Sequence, residues 1–103
     1  MRVVVAPSAR DDILRIWSYI ARDNESAADS VVERCYTTFN LLASNPLAGE
    51  SCDEFGKGLR HIFVGAYVIF YQVQHEQGEV QVKAVIHGAR DLPQELSRRG
   101  FQD

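Results

Sequence analysis

The 103 residues of this chain include 14 acidic and 11 basic side chains, which gives a formal net charge of −3 at pH 7. Proteins that act by binding nucleic-acid phosphates are usually basic, so direct nucleic-acid binding is disfavoured as the main activity. No apolar run approaches the roughly 20 residues that cross a bilayer, which argues against a membrane protein. The length predicts a single domain over residues 1–103, and without an export signal we expect a cytoplasmic protein.

The first half of the chain predicts a short strand at Val3–Val5 and then two amphipathic helices. Their short connection predicts an antiparallel helical hairpin, and the second helix ends before Pro46. Ser8 and Ser26 each precede an aspartate by three residues and are the expected N-caps. The apolar stripes of the two helices comprise Ile13, Ile16, Trp17 and Ile20, then Ala28, Val31, Val32, Cys35, Phe39 and Leu42.

The second half predicts a surface loop, three antiparallel strands and a short last helix. The loop is Leu47–Lys57, which is rich in Gly, Ser and acidic residues. The strands are 59–64, 67–74 and 79–87, with Gly65-Ala66 and Gly78 in the turns between them. In the third of these strands, alternation predicts that Val80, Val82, Ala84 and Ile86 all point inward.

Pro93 is well placed in the first turn of the last helix, and Gly100 is its expected end. The predicted fold class is therefore α+β. An antiparallel sheet, made of the N-terminal strand and a three-stranded meander, packs against the N-terminal helical hairpin, and a short C-terminal helix follows. The sequence does not indicate where the N-terminal strand joins the sheet.

The two cysteines do not form a framework. Cys35 lies on the apolar face of the second helix and is expected in the core, whereas Cys52 lies in a polar loop. No Cys/His spacing typical of a metal site is present, and no phosphate-binding or nucleophile motif occurs. We therefore expect two free thiols, no metal and no cofactor.

Two arginines frame the strand region. Arg60 opens the first meander strand and Arg90 follows the last, and guanidinium groups bind phosphate or carboxylate bidentately, so a shared two-arginine site is one interpretation. The other interpretation is that each arginine pairs with groups close to it and has a structural role. His61 and His87 are candidate acid–base groups because histidine titrates near neutral pH, although each could equally be a structural residue.

Two further basic groups lie in the predicted helices. Arg98-Arg99 ends the last helix, where positive charge suits the helix dipole. Asp11 and Arg15 are spaced for an ion pair on the first helix.

The order and spacing of several short motifs resemble the ParE branch of the RelE/ParE toxin superfamily over nearly the whole chain. Each motif is weak alone, and the combination is specific. The motifs are Ala9-x-x-Asp12-Ile13-x-x-Ile16-x-x-Tyr19-Ile20, Ala27-Ala28, Asn45-Pro46 with Gly49, Gly58-Leu59-Arg60, Tyr67-x-Ile69-x-Tyr71, and His87-Gly88-Ala89-Arg90-Asp91.

The resemblance implies a toxin of a bacterial toxin–antitoxin pair. RelE-like members are ribosome-dependent mRNA endonucleases with a strongly basic surface, central lysines and a Tyr or His near the C-terminus as acid or base. ParE-like members lack most of that set and poison DNA gyrase. Here the central loop holds only Lys57, and neither His nor Tyr follows Arg90, so the ParE branch fits better.

The resemblance also implies site residues and partners. A ParD-like antitoxin is expected to lay an amphipathic helix along the helical hairpin, and DNA gyrase is the expected target. Two alternatives stay open: an mRNA endonuclease that uses Arg60, His61, His87 and Arg90, and an inactive toxin that binds only its antitoxin. The expected target contacts are Arg60, Arg90, Arg98, Arg99 and Phe101, and the expected antitoxin contacts are Ile13, Trp17, Ile20, Val32 and Phe39.

Overall fold

Three α-helices, five strands and one 3₁₀ turn make up residues 1–100, the part of the chain that the computed structural model describes. The predicted α+β class is confirmed, and no helix among these residues is long and apolar enough to cross a membrane. The strands are β1 Arg2–Val5, β2 Glu50–Ser51, β3 Leu59–Val64, β4 Tyr67–Gln74 and β5 Glu79–His87; the helices are α1 Pro7–Ala21, α2 Glu25–Ser44 and α3 Leu92–Arg98; the 3₁₀ turn is Asp53–Phe55.

The strands form one sheet in the order β1-β5-β4-β3-β2. The predicted antiparallel meander of β3, β4 and β5 is confirmed, and the two edges differ from the prediction. β1 pairs parallel with β5, from Arg2 opposite Glu79 to Val5 opposite Val82, and the helical hairpin carries the chain from β1 across the sheet to β2 at the opposite edge. β2 lies inside the predicted loop and pairs with β3.

A β-bulge in β5 divides its side chains between the two faces of the sheet. Phe70 lies opposite Ala84 and Tyr71 lies opposite Val82, so Lys83 is the extra residue. The predicted alternation is therefore right about burial and wrong about direction. Val80 and Val82 face the helices, whereas Ala84 and Ile86 face the other side.

The helix-facing side of the sheet holds the larger core. The stripes of α1 and α2 pack on it as predicted, with Ile13 and Phe39 among the buried residues. Cys35 is buried there as well, and burial raises the pKa of its thiol. The helical hairpin thus covers one face of the sheet through the apolar spacing of its two helices.

The opposite face of the sheet is covered by α3 and by the segment around the 3₁₀ turn. Leu96 of α3 and Cys52 pack there against Phe70 and Ala84. The expectation that Cys52 is a polar-loop residue is therefore wrong, because its segment folds back onto the sheet. Burial, together with the carboxylates of Glu54 and Asp53, raises the pKa of the Cys52 thiol to about 11.

Neither thiol is expected to react in the folded protein. The thiolate is the nucleophile, and both thiols are buried with raised pKa values. At pH 8 we expect no colour from 5,5′-dithiobis(2-nitrobenzoate) with native protein and two equivalents of released chromophore after denaturation in urea. Rapid reaction of one thiol in the native state would contradict the placement of Cys52.

The predicted caps of α1 and α2 are wrong. Pro7 takes the first turn of α1, so Ser8 lies inside the helix and donates its hydroxyl to the Lys83 carbonyl at the bulge, 3.0 Å away. Asn24 caps α2, and its Oδ1 accepts from the Ala27 amide at 3.0 Å. The start of α3 in its Pro93 turn and its end before Gly100 are confirmed.

Candidate functional site

A cleft of about 870 Å³ opens between the outer face of α1, the end of β5 and α3. We call it the α1–β5 cleft. It brings together His87 at the end of β5 and Arg90 just after it with side chains of α1 to which sequence analysis gave no site role. Its lining residues are Asp12, Leu14, Arg15, Ile16, Ser18, Tyr19, Arg22, Tyr67, Val85, Ile86, His87, Ala89, Arg90, Glu95 and Arg99.

The floor of the cleft is a buried ion pair. Asp12 is only 5% exposed, and it accepts two hydrogen bonds from the Arg99 guanidinium, at 2.8 and 2.7 Å, and one from the Val85 amide at 2.9 Å. The bonds to Asp12 raise the pKa of Arg99 above its ordinary value. This bidentate geometry joins α1, β5 and the C-terminal end of α3.

Glu95 completes this network at its outer side. Burial would raise the pKa of Glu95, but the hydrogen bonds and charges of Arg99 and Arg98 outweigh burial and lower it. Arg99 therefore has a structural role, because its guanidinium is occupied and only 18% exposed, and its expected contact with a target stays a prediction. Arg98 pairs with Glu95 and stays largely exposed. Phe101 lies outside the described residues.

The rim of the cleft carries open guanidinium groups. Within residues 1–100, the side chains of Arg15, Arg22 and Arg90 make no hydrogen bond or ion pair, and the predicted pair of Arg15 with Asp11 is not formed. Leu14 and Tyr19 lie beside them, 64% and 71% exposed. The rim can therefore receive anionic groups next to an apolar surface.

Arg60 lies at the other end of the sheet, and the structure contradicts a shared site with Arg90. Arg60 is level with Tyr71, whereas β5 ends opposite Tyr67 and Arg90 follows that end. The Arg60 guanidinium instead donates to the Gly49 carbonyl at 2.7 Å and to the Leu47 carbonyl at 3.4 Å. Two strands that run in the same direction cannot bring the start of one beside the end of the other.

The segment that Arg60 holds is also fixed by Tyr71. The Tyr71 hydroxyl donates to the Pro46 carbonyl at 2.8 Å and accepts from the Gly49 amide at 2.9 Å. A Cβ atom on Gly49 would lie 2.4 Å from the His61 carbonyl oxygen and 2.7 Å from the Tyr71 hydroxyl. Glycine is therefore needed at position 49, where the backbone approaches β3 and Tyr71 too closely for a side chain. Arg60 has a structural role, because it holds this segment through its carbonyl groups.

The two candidate histidines do not meet. His61 packs its ring against Phe63 and Phe70 on the α3 side of the sheet, and its Nδ1 is buried without a hydrogen bond. His87 is exposed at the α1–β5 cleft, stacks edge-on with Tyr67 at 5.2 Å, and accepts at Nδ1 from the Ala89 amide at 3.0 Å. Arg60, His61, His87 and Arg90 thus form no common reaction site.

The expected antitoxin contacts differ in their exposure. Ile13 and Phe39 are buried in the core and leave no open surface, and Val32 packs against the same core; the antitoxin contacts themselves stay a prediction. Trp17 and Ile20 are half-buried, and the Trp17 indole donates to Asp29 of α2 at 2.8 Å. The sheet covers much of the apolar stripe of the helical hairpin, and the opposite faces of the helices are the exposed ones.

The side chains that sequence analysis missed lie on that opposite face. Arg15, Tyr19 and Arg22 follow one another at four- and three-residue spacing on α1, which places them on one side of the helix. This spacing is the sequence signal that could have identified these residues as one exposed surface of α1. Among residues 1–100, no group of three or more His, Cys, Asp or Glu side chains is arranged to hold a metal ion.

Comparison with known proteins identifies the family. Residues 3–92 match the model of the ParE toxin of the type II toxin–antitoxin system parDE. A search of curated proteins finds no significant match.

Solved structures give the same fold. The chromosomal ParDE toxin–antitoxin system from P. aeruginosa is 17% identical with a TM-score of 0.70, over 84% of this chain and 95% of that one. A chain of the toxin–antitoxin complex RelBE2 from Mycobacterium tuberculosis is 24% identical with a TM-score of 0.63, over 86% and 92%. At these identities the likeness concerns the fold alone, and the match to the family model carries the assignment: the chain belongs to the ParE toxin family of type II toxin–antitoxin systems.

Proposed function

We propose that this chain is a ParE-like toxin that binds DNA gyrase, traps its cleaved-DNA complex, and is neutralised by a ParD-like antitoxin. The match of residues 3–92 to the ParE family model carries the proposal. The two structural neighbours support an antitoxin partner, because both belong to toxin–antitoxin assemblies. The toxin would act by binding and not by catalysis.

The placement of the titratable groups supports inhibition by binding. Cleavage of RNA through its 2′-hydroxyl needs a base, an acid and charge stabilisation at one place. Arg60 and His61 lie at one end of the sheet, and His87 and Arg90 lie beyond the opposite end. The residues of the endonuclease alternative are therefore divided between two regions.

Arg90 is the first candidate for target contact. It is exposed, its guanidinium has no partner within residues 1–100, and it lies beside the exposed Arg98 of α3. The resemblance assigns toxicity to the region from Arg90 to Phe101. We therefore propose Arg90 and Arg98 as gyrase contacts and leave Arg60 and Arg99 out of the contact surface.

The test is gyrase supercoiling and DNA cleavage with purified toxin. We expect loss of supercoiling and accumulation of cleaved DNA, both reversed by the antitoxin. Arg90→Ala should weaken inhibition about tenfold, the effect of losing about 1.4 kcal/mol of binding free energy. Lys57→Ala is the control, because it removes an exposed cation outside the α1–β5 cleft.

Other outcomes would decide between the alternatives. Gyrase that is unaffected by excess toxin, together with ribosome-dependent mRNA cleavage, would replace the proposal with a RelE-like activity. No effect in either assay and no growth arrest on expression would indicate an inactive toxin that binds only its antitoxin.

A further inference from the structure

The unpaired arginines of this acidic chain are concentrated in one place. Four arginines make no side-chain hydrogen bond or ion pair within residues 1–100, namely Arg15, Arg22, Arg34 and Arg90, and three of them line the α1–β5 cleft. The others are occupied by carboxylates or carbonyl groups, as Arg99 is by Asp12. Since the net charge is −3, this rim is a local departure from the charge of the whole molecule.

The same rim exposes a large apolar surface. Within residues 1–100, Leu14 and Tyr19 are two of the most exposed large hydrophobic side chains; Leu14 directly precedes Arg15, and Tyr19 lies between Arg15 and Arg22 along α1. The half-buried ring of Tyr67 extends this surface toward the end of β5, and burial raises its pKa. Exposed apolar groups bordered by charge are typical of a surface that binds a partner.

We infer that the α1–β5 cleft is the seat of an acidic amphipathic segment of the antitoxin, an inference that rests on the proposed function for the identity of that partner. Apolar side chains of the segment would cover Leu14 and Tyr19. Its carboxylates would be bound by Arg15, Arg22 and Arg90, because guanidinium groups bind carboxylates bidentately. The contact thus uses the outer face of α1 and not its buried stripe.

Two observations favour a peptide over nucleic acid in this cleft. Leu14 offers an aliphatic contact, whereas single-stranded nucleic acid is held mainly by aromatic stacking and long basic tracks. Three arginines in a chain of net charge −3 match a short acidic segment better than a polyphosphate.

The placement of Arg90 gives this seat a role in neutralisation. Arg90 belongs both to the cleft and to the proposed gyrase contact. An antitoxin segment that binds its guanidinium would therefore block target binding directly. Arg15 and Arg22 belong to α1 and are not among the proposed gyrase contacts, so their removal should weaken the antitoxin contact while leaving the Arg90 side chain itself available to the target.

The experiment compares charge reversal inside and outside the cleft. The affinity of full-length toxin for its co-expressed and separated antitoxin is measured by titration calorimetry at two salt concentrations. Arg15→Glu/Arg22→Glu should bind at least 100-fold more weakly and with a smaller salt dependence. Arg34→Glu, which reverses an equally unpaired arginine on α2, should bind within threefold of wild type. Arg15→Lys/Arg22→Lys should retain most of the affinity.

A second arm identifies the chemistry of the ligand without the antitoxin. Fluorescence anisotropy follows a labelled helical peptide of Glu and Leu, its Lys and Leu counterpart, and single-stranded dT20. We expect binding of the Glu/Leu peptide alone and its loss in Arg15→Glu/Arg22→Glu. Binding of dT20 that depends on these arginines, or no binding of the Glu/Leu peptide, would overturn the inference.

The outcomes separate this inference from the proposed function. If Arg15→Glu/Arg22→Glu poisons gyrase and escapes neutralisation, both stand. If it poisons gyrase and is neutralised with wild-type affinity, the antitoxin does not bind the α1–β5 cleft, and the proposed function stands. If wild-type toxin does not affect gyrase while the titration shows the 100-fold loss, the function fails and the seat stands.

Discussion

Asp12→Ala is expected to lower the free energy of unfolding by about 4 kcal/mol, because it breaks a buried ion pair from one side. Arg99 would keep its charge in a site that is 18% exposed, and the Val85 amide would lose its acceptor. The loss should appear as a decrease of more than about 10 °C in Tm. Urea unfolding followed by the fluorescence of Trp17, the single tryptophan, measures the change.

Two comparisons distinguish the ion pair from a general effect of α1 substitution. Asp11→Ala changes an exposed neighbour with no hydrogen bond or ion pair within residues 1–100, and should cost less than about 0.5 kcal/mol. The double variant Asp12→Ala/Arg99→Ala should lose less than the sum of the single variants, because the uncompensated charge is gone. An Asp12→Ala cost below about 1 kcal/mol would contradict the structural role of the pair.

Gly49→Ala is expected to cost about 3 kcal/mol, the upper range for inserting a methyl group into a packed site. The new Cβ atom would lie 2.4 Å from the His61 carbonyl oxygen, a backbone atom that cannot move alone. The displaced segment would also weaken the bonds of Gly49 with Tyr71 and Arg60, at 2.9 and 2.7 Å. Thermal unfolding measured by circular dichroism reports the loss.

Gly58→Ala is the matched control for close approach. Gly58 has a φ of +77° and no atom within 4 Å of an added Cβ. Alanine there should lower the free energy of unfolding by only about 1 kcal/mol, the cost of the left-handed backbone conformation. We expect Gly49→Ala to be clearly the more destabilising of the two. The reverse order would show that the segment around Pro46 can move away from the sheet at little cost.

The elements with strong local patterns were predictable from the sequence, and the sheet edges were not. Helical spacing predicted α1 and α2, and the turns at Gly65-Ala66 and Gly78 predicted the bounds of β3, β4 and β5, all of which the structure confirms. β1 has three valines and no directional signal, so parallel pairing with β5 could not be inferred. The bulge at Lys83 depends on the fit of β5 to both β4 and the start of α1, and a single strand's sequence does not encode that fit.

Only part of the candidate site was predictable from the sequence. Arg90 and His87, both named as candidates, lie at one cleft, but Arg15, Tyr19 and Arg22 of α1, which line it with them, were not named as site residues. Arg99 could not be recognised as structural from the sequence, because its partner Asp12 is 87 positions away. The expected antitoxin residues followed the apolar stripe, and the sheet covers much of that stripe.

The distance along the chain between Asp12 and Arg99 has a consequence for synthesis. A ribosome delivers α1 first, and the guanidinium that neutralises its inward carboxylate is translated 87 residues later. Strand β1 likewise waits for β5. Nascent chains fold as their contacts become available, so this domain gains its full stability only after α3 has left the ribosome. A truncation that removes Arg99 would therefore impair folding as well as any contact made by the C-terminal segment.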